Sequence, residues 1–199
     1  MKPRHLALAA LAALSFNANA ALTPYAAWDA AYPLLAGIQF NVVTASNGAS
    51  IGMGAHPYIY GLTMPNNGVD TYYARSGLSN PLRANWSFDY AWDLNGCSTC
   101  TVDLLVDTDP GAGVTFVNLP ITGMDSWNME MSFMAAALGG YNFDPFSPSS
   151  TTFRLRLLDG QRELAISDIT VNVPEPGSLA LLGLGLAGMA GMLRRRLRR

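Results

Sequence analysis

The 199-residue chain is 50% hydrophobic and 13% charged, with a formal net charge of −2. That apolar content excludes wholesale disorder, and two cysteines exclude a disulfide-dense mini-scaffold; the length suits one ordinary domain plus targeting segments. The charge is segregated. Lys2 and Arg4 stand at one end and Arg194, Arg195, Arg196, Arg198 and Arg199 at the other, while Ala21 to Val173 holds five arginines against 13 carboxylates, leaving about −8. So acidic a middle repels phosphate, which argues against nucleic acid as a partner. It also contains no lysine, which excludes a Schiff-base lysine or a Walker-type phosphate site.

Residues 1–20, MKPRHLALAALAALSFNANA, combine a basic start with an apolar run from Leu6 to Phe16. Ala18 and Ala20 then supply small residues at the cleavage-critical positions, so the segment reads as a secretory signal peptide with Ala21 as the mature start. The apolar run is too short to serve as a stable transmembrane anchor.

Residues 21–172 read as one exported domain. Trp28 to Leu35 is its helical contender; beyond it the hydrophobic period is two rather than 3.6. Ile38–Thr44, Ser50–Gly54, Tyr58–Leu62, Thr71–Ala74 and Val114–Asn118 are short strand candidates. The clearest strand runs from Asn85 to Leu94, with Trp86, Phe88, Tyr90, Trp92 and Leu94 on one face and Asn85, Ser87, Asp89 and Asp93 on a solvent face. Val102, Leu104 and Val106 alternate with Asp103, and Trp127, Met129, Met131 and Phe133 alternate with Asn128, Glu130 and Ser132. Met134 to Leu138 is a possible turn, and 143–152 reads as a loop. Phe153, Leu155 and Leu157 alternate with Arg154 and Arg156; Leu164 and Ile166 share one parity, Ile169, Val171 and Val173 the other, which places a bulge at Ser167-Asp168. Short strands punctuated by Gly, Pro and Asn predict an all-β antiparallel sandwich, of jelly-roll or immunoglobulin-like arrangement.

Several residues carry possible chemistry. Cys97 and Cys100 follow Asn95-Gly96 between the two best strands. Positions i and i+3 of a tight turn are close enough for a disulfide; a redox dithiol or a zinc ligand pair is the alternative, although the former belongs at a helix N-terminus and the latter lacks four ligands. Asp103, Asp107 and Asp109, with Gly111 and Gly113, are the one metal candidate, a Ca²⁺ loop, with a polar turn as the other reading; Asn118 replaces the bidentate Glu of an EF-hand. His56, before Pro57, reads as a turn residue, and no G-x-S-x-G accompanies it. Asp89, Asp93, Glu130 and Asp144 are the carboxylates that a glycoside hydrolase would have to pair in space. Tyr58, Tyr60, Tyr72, Tyr73 and Trp28 are the aromatic rings available to stack on sugars. No cofactor is expected.

Residues 173–199 form a separate unit. Val173-Pro174-Glu175-Pro176 leads into an uncharged run, Gly177 to Leu193, and the arginine cluster closes the chain. As a helix that run reaches roughly 25 Å, somewhat short of a hydrocarbon core but within range of local thinning and snorkelling arginines. The arginines favour the cytoplasmic side, which leaves the acidic domain outside the inner membrane. Gly183, Gly185 and Gly188 match a dinucleotide-binding pattern formally, but no strand precedes them and no acidic residue follows. Gly183, Ala187 and Gly191 share a face on which helices pack closely in membranes.

This order of motif, apolar helix and arginines resembles the PEP-CTERM sorting signal of Gram-negative bacteria. The resemblance implies an exosortase as processing partner, transient anchoring in the inner membrane, and delivery to the cell surface or an exopolysaccharide matrix. NWSFDYAWDL, TVDLLVDTDPGAG and DSWNMEMSF resemble stretches of surface proteins with the same tail, which supports the sandwich and supplies no catalytic residue. The expected function is therefore a non-catalytic structural role in the envelope or matrix. A lectin-like polysaccharide-binding module is the alternative, and a matrix glycoside hydrolase the third.

Overall fold

The computed structural model describes residues 21–59, 63–109 and 113–175. In chain order the elements are β1 (Thr23–Pro24), α1 (Ala26–Ala31), a single 3₁₀ turn (Pro33–Leu35), β2 (Gln39–Thr44), β3 (Ser50–Pro57), β4 (Thr71–Tyr73), β5 (Leu78–Asn80), β6 (Arg83–Ala84), β7 (Trp86–Asp93), β8 (Cys100–Asp107), β9 (Phe116–Leu119), β10 (Asp125–Trp127), α2 (Met134–Ala137), β11 (Ser149–Asp159) and β12 (Arg162–Val173). They build an all-β sandwich. One sheet has the order β1-β2-β3-β7-β10 and the other β4-β12-β11-β8-β9, with β5 and β6 pairing separately. Every pairing is antiparallel except β4 with β12, which run parallel. The alternating apolar residues meet between the sheets, where the Phe88 and Phe153 rings stack at 4.2 Å and Trp86 meets Phe153 edge-on.

Strand β7 departs from the expectation of one wet face. Ser87, Asp89 and Ala91 are as buried as Trp86, Phe88 and Tyr90. The cover is the N-terminal segment, where Tyr25, Trp28 and Leu35 form a second apolar cluster with Phe40 and Ala91 on the outer side of the first sheet. Glycine makes this approach possible: a Cβ on Gly52 would stand 3.0 Å from the Tyr25 ring, and one on Gly54 3.0 Å from the Gln39 carbonyl. Tyr25 donates to the Ser50 carbonyl, Trp28 Nε1 donates to the Leu35 carbonyl, and Asp29 accepts the Gly37 N–H, so the segment is tied at three points. The expected helix over 28–35 is thus a shorter helix and a 3₁₀ turn broken at Pro33.

Four further expectations are corrected. Strand β10 ends at Trp127 instead of running to Phe133, because Asn128 turns into the core and Met131–Met134 enter α2. Strand β11 begins at Ser149, inside the segment expected as a loop, since β12 extends to Val173 and supplies its partners. The register shift falls between Leu157 and Leu158, opposite Leu164, and not at Ser167-Asp168; Ser167 keeps core parity with Ala165 and Ile169. Tyr58 and Ile59 form a bend rather than the start of a strand, and the rest of that expected strand, 60–62, lies outside the described residues.

Ser167 keeps its core position by solving a backbone problem. Its hydroxyl accepts the Met53 N–H at 3.1 Å and donates to the Asn41 carbonyl, bridging two register partners of the opposite sheet. Asn41 in turn donates to the Asp168 carbonyl at 2.8 Å. A buried hydroxyl with both partners satisfied costs little and fixes how the sheets are aligned.

The strand directions sort the connections into two ends. The turns β2–β3, β7–β8, β9–β10 and β11–β12 lie at one, which we call the head. The connections β3–β4, β4–β7, β8–β9 and β10–β11 lie at the other, with the exit of β12. Asn47 Nδ2 reaching Cys100 Sγ at 3.9 Å joins the two sheets at the head.

Candidate functional site

The exit of the chain toward its C-terminus is the first candidate. Val173 is buried and pairs with Ser149, while Pro174 and Glu175 are exposed immediately beyond the last ladder pair. Strand β12 is held on both sides, by β11 over its length and by β4 through Thr170–Asn172. The Val173-Pro174-Glu175 segment is therefore presented from a strand in the interior of its sheet. Pro176, the arginines Arg194, Arg195, Arg196, Arg198 and Arg199, and the signal residues Ala18 and Ala20 lie outside the described residues; Ala21 is exposed. Among the described residues no helix is long and apolar enough to cross a membrane.

At the opposite end Cys97 and Cys100 form a disulfide with Cα atoms 5.5 Å apart. Asn95 and Gly96 both take positive φ in the preceding turn, and Asp93 accepts the Asn95 N–H. The bridge therefore lies within the connection from β7 to β8, strands of different sheets that do not pair, and ties the last loop residues to the first residue of β8 instead of crossing a hairpin.

The three aspartates of the metal candidate do not converge. The Asp103 carboxylate pairs with Arg156 at 2.8 Å on the outer face of the second sheet. The buried Asp107 carboxylate accepts the N–H groups of Asp109 and Thr115, organising the turn that it begins. Among the described residues no group of three His, Cys, Asp or Glu side chains is placed to hold a metal ion.

A buried histidine–aspartate hydrogen bond was not legible in the sequence. His56 is not in a turn; it occupies β3, where it faces β7, and its Nδ1 lies 2.8 Å from Asp89 Oδ2. Both side chains are almost wholly buried beneath the N-terminal segment, and Asp89 Oδ1 has no hydrogen-bond partner among the described residues. His56 also borders a cleft of about 90 Å³ that Leu35, Met64 and Tyr72 help to line. The one signal that pointed here was the apolar Tyr25–Leu35 stretch, which needs a surface to cover.

Of the four carboxylates considered for glycoside cleavage, Asp89 is committed to His56 and Asp93 is exposed at the head. Glu130 and Asp144 are neighbours. Burial, reinforced by the Asp144 charge, raises the Glu130 carboxyl above its ordinary range. Hydrogen bonds from the Ser147 hydroxyl and the Phe146 N–H lower that of Asp144. Glu130 borders a cleft of about 180 Å³ beside Met129, Tyr141 and Phe143.

Among the aromatic residues considered for sugar stacking, Trp28 and Tyr72 are buried; Tyr72 donates to the Gln39 carbonyl, and burial pushes its phenol far above the ordinary value. Tyr73 is exposed and Tyr58 half-buried, while Tyr60 lies outside the described residues. Two of the rings are thus removed from any flat platform.

Comparison with known proteins decides what the exit is. Residues 172–196 match the family model described as the PEP-CTERM protein-sorting motif. The chain carries a PEP-CTERM sorting signal. The signal marks it as an exported protein, processed at the membrane by an exosortase. The matched segment begins at Asn172, so its first two residues still belong to β12 and are folded into the sheet. No curated protein and no solved structure matches the chain.

Proposed function

We propose that this PEP-CTERM protein is a structural component of the cell surface or extracellular matrix, with a non-catalytic β-sandwich as the delivered cargo. The observation that carries this reading is the exit geometry: the sorting motif starts within the last core strand, so processing near Pro174–Pro176 leaves the whole sandwich intact. The internal polar groups fit the same view. His56 with Asp89, Ser167 with the opposite sheet, and Asn128 with Ala84 and Trp86 are all engaged in holding the fold.

In this reading residues 1–20 are removed on export and Gly177–Leu193 anchors the chain in the inner membrane, with the domain outside, until an exosortase acts. The test is the intact mass of the protein from its native host, beside a Glu175→Ala variant. A wild-type chain running from near Ala21 to near Val173–Pro176, with the variant keeping Arg199 in the membrane, is the expected result. A wild-type chain that keeps Arg199 reduces the tail to an anchor and overturns the matrix assignment. Pull-down on exopolysaccharide separates the structural role from the lectin-like one, for which Tyr73 is the most exposed of the described candidate rings Trp28, Tyr58, Tyr72 and Tyr73.

A further inference from the structure

The two ends of the sandwich differ in a way that the core does not require. The four head turns, 45–49, 94–99, 120–124 and 160–161, expose no large hydrophobic side chain. Among the described residues the exposed large hydrophobic side chains lie before β2, at the end of β4 or in the connections at the tail end. Four lie in segments at the end where β12 exits: Ile59 is 62% exposed, Tyr73 45%, Leu82 69% and Phe146 62%. Their placement at this end is fixed by backbone bonds. Tyr73 pairs with Asn172, one residue before Val173. The Gly77 N–H donates to the Pro145 carbonyl, which sets Phe146 beside the base of the β5–β6 hairpin that carries Leu82. The Tyr58 N–H donates to the Asn85 carbonyl, which brings Ile59 to the same base.

We propose that this end of the sandwich rests on the bilayer while the chain is anchored, with Ile59, Leu82 and Phe146 entering the headgroup region. The inference rests on the reading of Gly177–Leu193 as a membrane anchor. Its physical basis is the tether. Only Pro174, Glu175 and Pro176 separate the last buried strand residue from the uncharged run. Three extended residues span about 10 Å, so the tail end cannot stand clear of the interface. Apolar side chains held at that height are stabilised by entering the headgroup and acyl boundary, as on interfacial proteins.

Charge makes the contact conditional. The tail-end connections and exit carry Asp70, Asp109, Glu130, Asp144 and Glu175 against Arg75 and Arg83. That balance opposes anionic lipid, so the surface holds only while the tether keeps its effective concentration high. Cutting the tether releases the domain; no further signal is needed.

The test uses the full chain in lipid nanodiscs of phosphatidylethanolamine and phosphatidylglycerol containing doxyl-labelled lipid. Tryptophan is introduced by Phe146→Trp or Leu82→Trp at the tail end and by Thr99→Trp at the head, and emission is compared with the unsubstituted chain. All three sites are exposed, so the fold is not at risk. The expected result is at least about twofold quenching of the added emission at 146 and 82 and none at 99, as for rings at the acyl boundary. Absent or equal quenching at both ends, in chains that the disc retains, overturns the contact alone. Chains that the disc does not retain overturn the anchor reading and the inference with it. Protection of position 146 that appears only after an exosortase is co-reconstituted assigns the surface to the enzyme and overturns the lipid assignment.

Discussion

Replacing Asn128 by alanine tests how the first sheet is closed at its β10 edge. Asn128 is fully buried; its Oδ1 accepts the N–H groups of Ala84 at 3.0 Å and Glu130 at 3.1 Å. Its Nδ2 donates to the carbonyls of Ala84 at 3.1 Å and Trp86 at 2.6 Å. One side chain therefore satisfies backbone groups in β6, at the start of β7 and in its own turn. Ala84 and Trp86 are buried, so truncation leaves at least two backbone groups without a partner; at roughly 1–3 kcal/mol each, plus the cavity, the loss is about 3–5 kcal/mol. At 2–4 °C per kcal/mol for a chain of this size, the melting temperature falls by roughly 10 °C or more. Asn128→Asp separates hydrogen bonding from packing. It keeps the volume but aims a carboxylate at two carbonyls, so its folded pKa rises above the unfolded value. Its deficit is then largest at neutral pH and shrinks as pH falls through that raised pKa. Urea unfolding of both variants at two pH values is the assay. A loss below about 1 kcal/mol for the alanine variant, or a pH-independent deficit for the aspartate, refutes the reasoning.

Other expectations follow the same logic. Reducing the Cys97–Cys100 bridge, or replacing both residues by serine, closes so short a loop less tightly that it costs at most about 2 kcal/mol and leaves the sandwich folded by circular dichroism. Asp89→Ala removes one partner of a buried pair and costs about 3–5 kcal/mol in urea unfolding; replacing His56 as well, with a phenylalanine at 56, recovers part of that loss. Glu130→Gln raises the melting temperature at about pH 7: the raised folded pKa means the charged form is disfavoured there, and the gain disappears below about pH 4, where wild-type Glu130 is protonated. Arg154→Lys loses the bidentate bond to Asp168 and the contact over Phe116, but at a half-exposed pair still screened by solvent this costs about 1 kcal/mol, read as a small shift in urea midpoint.

The core strands were legible because their chemistry is periodic. Trp86 to Tyr90, Leu104 with Val106, and Phe153 to Leu157 alternate at period two and lie between the sheets where that alternation places them. The errors share a cause: a residue type has two environments, and sequence spacing does not choose between them. Asp89 and Asn128 look like solvent-face residues until another segment covers them, Asp89 by the Trp28 helix and Asn128 by its own turn. Ser167 looked like a bulge because a hydroxyl broke an apolar pattern, yet it is the polar member of a core row, satisfied by the facing sheet. The carboxylate candidates divide for the same reason: Glu130 and Asp144 come to be neighbours, while Asp89 pairs with His56 and Asp93 stands at the head, a sorting that depends on sheet order and is settled only once the strands are assembled.

The position of the sorting signal constrains how it is read. Pro174 and Pro176 favour an extended backbone and keep the segment from continuing the ladder as an amide donor. The residues just before them offer no slack. Asn172 lies between Ser150 and Tyr73, and Val173 is buried against the core, so fraying this terminus means removing an interior strand from both neighbours at once. Such a strand resists peeling more than an edge strand would, because each residue lost breaks contacts on two sides. Unfolding of this strand is therefore a costly way to expose the motif, which favours processing at the foot of the folded domain. Under the proposed anchoring by Gly177–Leu193, the three residues Pro174, Glu175 and Pro176 span about 10 Å, so cleavage among them would take place with the sandwich close to the membrane surface, the arrangement that the quenching experiment tests.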